Sequence, residues 1–241
     1  MKTDSIPLVE RALRSLTEAL RATLPMGRID AQPLPGCPDI RLGLISADFP
    51  TGPLPPEVMN AVISRPAYWA LCWGSGLGLA QLLYRHPQWV RGRRVLDFGS
   101  GSGVVGIAAM RNGAAAVVAC DSDPAAREAT RANAVINDVR IDVCSDLADA
   151  GTDFDLVLMA DVLYERGNLP LLDALQRIGR AVVVADSRVT EIPRPGYRLI
   201  AQLDARTHPN LNEFDEFRTV RIFAHSFEST SGVSLGAPAS S

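Results

Sequence analysis

Little in this 241-residue chain ties it to an oxidising compartment, a structural metal or a bilayer. Its four cysteines, Cys37, Cys72, Cys120 and Cys144, form no C-x-x-C pair and have no histidine cluster beside them. That excludes both a zinc-site pattern and a disulfide framework, and a reducing, cytoplasmic setting is the simplest expectation. No apolar run approaches the roughly 20 residues of a membrane span, and the Met1 to Pro7 start lacks the basic and apolar regions of a signal peptide. The segment LVERALRSLTEALRATL carries Arg11, Arg14 and Arg21 in the manner of a transit peptide, but Asp4, Glu10 and Glu18 count against that role. There is no excess of positive charge either. The net charge of −3 argues against a general binder of nucleic acid or of an anionic membrane surface. No internal repeat is visible. What remains, 47% apolar and 21% charged residues, is enough to bury one sizeable core in one domain with additions.

Three zones follow along the chain. Leu8, Val9, Leu13, Leu16, Leu20 and Leu24 recur at helical spacing, which predicts an amphipathic helix laid on its own domain. Residues 31–66 carry eight prolines, from Pro33 to Pro66; that density argues against regular helix or central strand over most of the zone and predicts an ordered wrap or lid. From residue 67 to about 225, short apolar runs alternate with helical stretches, the pattern of a parallel α/β sheet. Strands are expected at 93–98, 115–120, 139–143, 154–160, 180–185 and 217–224, with another near 197–203. Helices are expected from Gly103, Pro124 and Asn168; Pro124 stands just inside its helix after Asp123, an N-capping residue. The tail from 228 to 241 is small, polar and expected to be disordered.

The stretch VLDFGSGSGVVG, residues 95–106, fits two cofactor loops. Gly101, Gly103 and Gly106 satisfy G-x-G-x-x-G, the dinucleotide pattern, while Asp97, Gly99, Gly101 and Gly103 satisfy the D-x-G-x-G-x-G pattern of S-adenosylmethionine (SAM) enzymes. Charge separates them. A pyrophosphate seated on a helix N-terminus is disfavoured by a carboxylate at the strand end, whereas the cationic sulfonium and amino groups of SAM are attracted by Asp97. Asp121 does not discriminate, because an acid about 20 residues past the glycines suits a ribose diol in either cofactor. Glycines after a strand also serve turns and packing; it is the order strand, acid, glycine loop, helix, strand, acid that favours a cofactor, and Asp97 that favours SAM.

Two further acids end strands. Asp146, in IDVCSDL, suits either a turn or the reading of an adenine amino group. Asp161, in FDLVLMADVLYE, would emerge at the carboxyl end of a buried parallel strand, where doubly wound sheets bind ligands, with Tyr164 three residues on. On local pattern alone the pair also reads as a cap and a half-buried ring. Tyr68, Trp69 and Trp73 suit core packing or an aromatic wall for a cationic amine.

With PAYWALCWGSGLGLAQLL, VRGRRVLDFGSGSGVVGIAA, VVACDSDPAA and ADVLYE in view, residues 66–227 resemble the seven-strand SAM-dependent methyltransferases. More narrowly they resemble the protein lysine methyltransferases with a D-x-x-Y signature after the fourth strand, here Asp161 to Tyr164, and within that branch the electron transfer flavoprotein beta-subunit lysine methyltransferases and their bacterial relatives. The resemblance implies a doubly wound, mainly parallel seven-stranded Rossmann-like domain at 66–227, preceded by a helix and Pro-rich cap at 1–65. It implies SAM as cofactor and a lysine of a protein partner, such as the electron transfer flavoprotein beta subunit, as acceptor; a small amine or another protein nucleophile is the alternative acceptor, and a non-catalytic SAM-binding partner protein is the third reading. Asp97, Gly99, Gly101 and Gly103 would line the methionine half of SAM, Asp121 the ribose and Asp146 the adenine. Trp73 and Gly74 would close over the cofactor, and Asp161 and Tyr164 would flank the entering amine.

Overall fold

The computed structural model describes residues 7–211 and 215–227; the expectations for the first six residues and for the 228–241 tail lie outside them. In chain order the elements are α1 (Leu8–Arg21), β1 (Ile29–Leu34), β2 (Cys37–Ile45), α2 (Pro56–Ser64), α3 (Gly74–Arg85), β3 (Arg94–Phe98), α4 (Val104–Arg111), β4 (Ala116–Cys120) and α5 (Pro124–Ile136). Then come β5 (Asp142–Cys144), α6 (Leu147–Ala150), β6 (Leu156–Ala160), α7 (Leu171–Ile178), β7 (Val182–Asp186), β8 (Arg198–Asp204) and β9 (Thr219–His225). Seven strands form one sheet in the order β5-β4-β3-β6-β7-β9-β8. The five from β3 to β7 run parallel, and β9 is antiparallel to both β7 and β8.

The apolar runs at the sheet centre read as strands buried on both faces, and they are. Val95, Leu156, Leu158 and Val183 pack toward α3 and α4, while Leu96, Val157, Met159 and Val184 pack toward α7, the period-2 alternation of a strand between two helix layers. The chain order reverses between β3 and β6, which opens a crevice at their carboxyl ends. α1 forms as its periodicity predicts, with Leu16 and Leu20 buried against a cluster that includes Ala126 and Ala129 of α5.

The Pro-rich zone, in which helix and central strand are not expected over most of the length, holds one short helix, α2, and a separate two-stranded ribbon, the antiparallel pair β1–β2. The prolines sit where a missing N–H is tolerated: Pro35 beside a turn at Gly36 (φ 70°), Pro33 and Pro38 in a two-stranded ribbon, and Pro55 and Pro56 at the N-cap and first position of α2. The zone is packed on the rest of the domain. Ile40, Leu42 and Leu44 are fully buried in the main core. The outer edge of β2 is tied to α5 by side chains: Asn133 Oδ1 accepts from Gly43 N at 2.7 Å and Asn137 Oδ1 from Arg41 N at 3.0 Å. α3 had no predicted counterpart. Its GSGLGLAQLL start carries three glycines, and their bareness permits close packing: a Cβ at Gly78 would stand 2.5 Å from Leu203 Cδ1 of β8.

Candidate active site

The glycine loop leaves β3 and enters α4 through three residues with positive φ, Gly99 (70°), Gly101 (52°) and Gly103 (80°). At Gly99 a side chain would also meet Val162 Cγ2 at 2.5 Å, and at Gly103 it would crowd Thr130 at 3.1–3.2 Å, so both conformation and space demand glycine there. Ser100 and Thr130 join their hydroxyls at 3.1 Å, pinning the loop to α5.

Two carboxylates take N–H groups that an anion would otherwise use. Asp97, 2% exposed at the end of β3, accepts from Gly106 N at 2.8 Å. Burial pushes its pKa up to about 7, against the pull of that hydrogen bond. Asp121, just past β4, accepts from Gly101 N at 2.8 Å through one oxygen and from Asp123 N at 3.0 Å through the other; burial raises its pKa too. Gly103 N is taken by Ser100 O at 2.7 Å. The loop is therefore a poor phosphate cradle, because the N–H groups of Gly99, Ser100, Gly101 and Gly103 are spent inside the protein and carboxylates stand beside them.

Across the crevice Asp161 follows β6 with φ 51°, a strained conformation for a residue with a side chain. Its Oδ1 accepts from Ser75 Oγ at 2.5 Å and its Oδ2 from Ser75 N at 3.1 Å. Burial, with Asp186 nearby, raises its pKa to about 6 against these bonds. The turn to Tyr164 is held by Asn168 Nδ2, which donates to Val162 O at 2.8 Å. Tyr164 is 43% exposed, and the Arg188 guanidinium lies 5.7 Å from its ring centre. Trp73 turns its indole N–H to Tyr68 O at 2.9 Å, and the two rings meet edge to face at 5.8 Å.

These groups enclose a cavity of about 660 Å³, within the range of small-molecule and cofactor sites. Of the expected site residues, Trp73, Asp97, Gly99, Gly101, Asp121, Asp161 and Tyr164 line it. Gly74, Gly103 and Asp146 are not among the lining residues. Gly74 opens α3 against Ala205 O, and Gly103 caps α4. Asp146 caps α6, its Oδ1 accepting from Ala148 N at 2.9 Å and Asp149 N at 3.1 Å. Sequence reasoning missed Ser75, Glu165, Asn168 and Arg188 at this site; no local pattern links Ser75 to a carboxylate 86 residues away. Among the described residues, the lining holds five acids, Asp97, Asp121, Asp123, Asp161 and Glu165, and one cation, Arg188. Such a wall selects a ligand with positive charge. Among the described residues no cluster of three His, Cys, Asp or Glu side chains suits a metal ion.

Known proteins resemble this chain in sequence and in fold. The family model of the ribosomal protein L11 methyltransferases (PrmA) matches residues 82–166, which span β3 to β6 with the glycine loop, Asp121 and Asp161 to Tyr164. The electron transfer flavoprotein beta subunit lysine methyltransferase of Xenopus laevis is 34% identical over 160 residues, 63% of this chain and 64% of that protein. The human protein of the same name is 38% identical over 101 residues, 41% of this chain and 38% of its own length. The ribosomal protein L11 methyltransferase of Marinobacter nauticus is 40% identical over 114 residues, 46% of this chain and 33% of that one. The chain thus matches less than two thirds of the length of each of these relatives. For the fold, the 16S rRNA N2 G1207 methyltransferase of T. thermophilus superposes with a TM-score of 0.51 at 15% identity, over 83% of this chain and 50% of that chain.

Proposed function

We propose that this chain is a SAM-dependent N-methyltransferase that acts on lysine side chains of a protein. The observation that carries the reading is the acid-lined cavity beside a glycine loop whose Gly101 N–H is taken by Asp121, with Asp97 holding the Gly106 N–H of the helix that follows. It fits a cationic cofactor and a cationic acceptor and opposes a dinucleotide. The names of the relatives support a protein lysine as acceptor, and the electron transfer flavoprotein beta subunit is the first candidate. Four free thiols suit a reducing, cytoplasmic setting. Among the described residues no helix is long and apolar enough to cross a membrane.

In this reading Asp97 supplies negative charge beneath the methionine half of the cofactor, and Gly99, Gly101 and Gly103 let the backbone approach it. Asp121 keeps lone pairs for the ribose diol while its two oxygens brace the loop. Asp146 shapes the turn after β5 by its cap and so acts on the adenine side from outside the cavity. Gly74 starts the helix that brings Trp73 over the opening. Bound there, SAM supplies a methyl group activated by a sulfonium, transferred in line with the sulfur keeping the bonding pair. Asp161 orients the incoming ammonium. Because a lysine's ordinary pKa is near 10.4, that group must shed a proton before its lone pair can attack; Tyr164 hydrogen-bonds the neutral amine and solvent carries the proton away. No group need protonate the leaving sulfur, so positioning and exclusion of water supply most of the rate.

The test is transfer of labelled methyl from SAM into a cell extract and into purified electron transfer flavoprotein beta subunit, followed by mass spectrometry of the labelled band. Label on a lysine of a protein is expected. Label confined to small molecules would replace the acceptor class, and SAM binding with no transfer would remove the enzyme reading. Lys2 is the only lysine of this chain, so a labelled lysine anywhere else in a protein comes from another molecule.

A further inference from the structure

Ser75 is completely buried at the start of α3 and gives both its donors to one carboxylate, as described above. The segment that carries it is fixed from the far side. Cys72 and His208 exchange two backbone hydrogen bonds of 2.8 Å, and Gly74 N donates to Thr207 Oγ1 at 3.3 Å. A Cβ at Gly74 would stand 3.0 Å from Ala205 O, so the strap has no slack. Between these anchors Trp73 forms part of the cavity wall. One four-residue strap therefore touches both the cavity, through Trp73, and the carboxylate across the crevice, through Ser75.

We propose that Ser75 is a positioning residue for methyl transfer, holding the Asp161 carboxylate in one orientation so that it and the Trp73 wall meet the acceptor amine as a rigid unit. The inference rests on the reading of Asp161 as an acceptor-site group. Other charged or titratable groups also face Asp161: Asp186 at the end of β7 raises its pKa, Arg188 in the following loop lowers it, and Cys72 and Tyr164 are close enough to feel its charge. Ser75 differs from these in bonding both oxygens and in arriving from the strap. Two donors to the ionised form favour that form and remove the carboxyl's rotational freedom, which a well-oriented reaction cannot spare.

Ser75→Ala deletes the hydroxyl and leaves the backbone N–H in place. The expected result is a kcat about tenfold lower in the label-transfer assay, with SAM affinity by calorimetry within about twofold of the parent. The acid limb of kcat against pH should move upward, since Asp161 loses a donor, and Ser75→Thr should restore most of the rate. An unmoved acid limb, or rate and SAM affinity falling together, would assign Ser75 to packing and overturn the proposal. Carbon-13 titration of Asp161 in the ligand-free protein separates this from the functional reading. A higher Asp161 pKa in Ser75→Ala with no acceptor ever methylated would fell the proposed function and the acceptor role together. An unchanged Asp161 titration would overturn the inference whatever the activity.

Discussion

Burial raises the pKa of both Asp97 and Asp161, yet the two carboxyls are held differently. Asp97 spends one oxygen on Gly106 N and sits beneath the glycine loop; Asp161 has both oxygens bound to Ser75 at the crevice. Asp97→Asn keeps an acceptor for Gly106 N and removes only the charge, so SAM should bind about tenfold more weakly or worse, in line with a charge-assisted contact of about 1.5–3 kcal/mol. Calorimetry showing equal affinity in the variant and the parent would remove Asp97 from the cofactor site. At Asp161 the separation should run the other way. Asp161→Asn should slow transfer by at least about tenfold, a rise in the barrier of roughly 1.4 kcal/mol, with SAM affinity little changed, because the amide carries no charge for the ammonium and its one acceptor oxygen serves only one of Ser75's donors. Tyr164→Phe, which loses a hydroxyl from a half-exposed ring, should cost less. Full activity of Asp161→Asn on the identified acceptor would return the motif to a turn-forming role.

The elements show where local pattern predicts structure and where packing overrides it. β3, β4, β6 and β7 fall within a few residues of the expected bounds, because a strand buried on both faces must be a continuous apolar run. β5 begins later than expected, at Asp142, because α5 reaches Ile136 and the chain turns at Asp138, where φ is 49°. The β1–β2 ribbon was illegible for a different reason: its outer edge is completed by Asn133 and Asn137 of a helix some 90 residues later. Asn133 also donates to Ser102 O at 2.8 Å in the glycine loop. Asn133→Ala would strand the buried Gly43 N–H and Ser102 carbonyl together, and at about 1–3 kcal/mol for each unsatisfied group the unfolding free energy should fall by roughly 2 kcal/mol or more. Urea denaturation checks this as a lower midpoint at unchanged slope. A midpoint equal to the parent's would mean that the ribbon is held by its apolar face alone.

For the whole molecule, the raised carboxyls make stability depend on pH in a definite sense. Asp97 titrates near 7 in the folded chain and near 3.9 when unfolded, so between those values the native state holds a proton that the unfolded state has lost. Its stabilising contribution is complete below the unfolded value and is lost as pH rises through the folded one. Asp161, at about 6, acts in the same direction over a narrower window. His86 and His208, pushed down by burial, act in the opposite sense. Comparison with Asp97→Asn cancels the other groups. Between pH 5 and 7 the parent should lose about 2 kcal/mol relative to that variant, by the linkage relation for one proton, read from paired urea titrations. Parallel pH profiles would show that Asp97 titrates alike in both states. SAM, whose positive charge favours ionised Asp97, should release protons on binding near pH 6.5, measurable as a binding heat that depends on the buffer.

The amino-acid sequence by itself determined the parallel α/β sheet, the glycine loop and the acids at strand ends, because each rests on short-range rules: apolar runs make buried strands, and positive φ beside tight packing requires glycine. It also placed Asp97 against an anionic ligand, since charge at a strand end can be judged from position alone. Only the tertiary structure decided which of these residues share the cavity, that Asp146 is committed to a cap, and that Ser75 grips Asp161. Those relations join segments tens of residues apart, and nothing local in either segment specifies its partner; they exist because the sheet order brings β6 beside β3 and because α3, packed on one face of the sheet, starts where β6 ends.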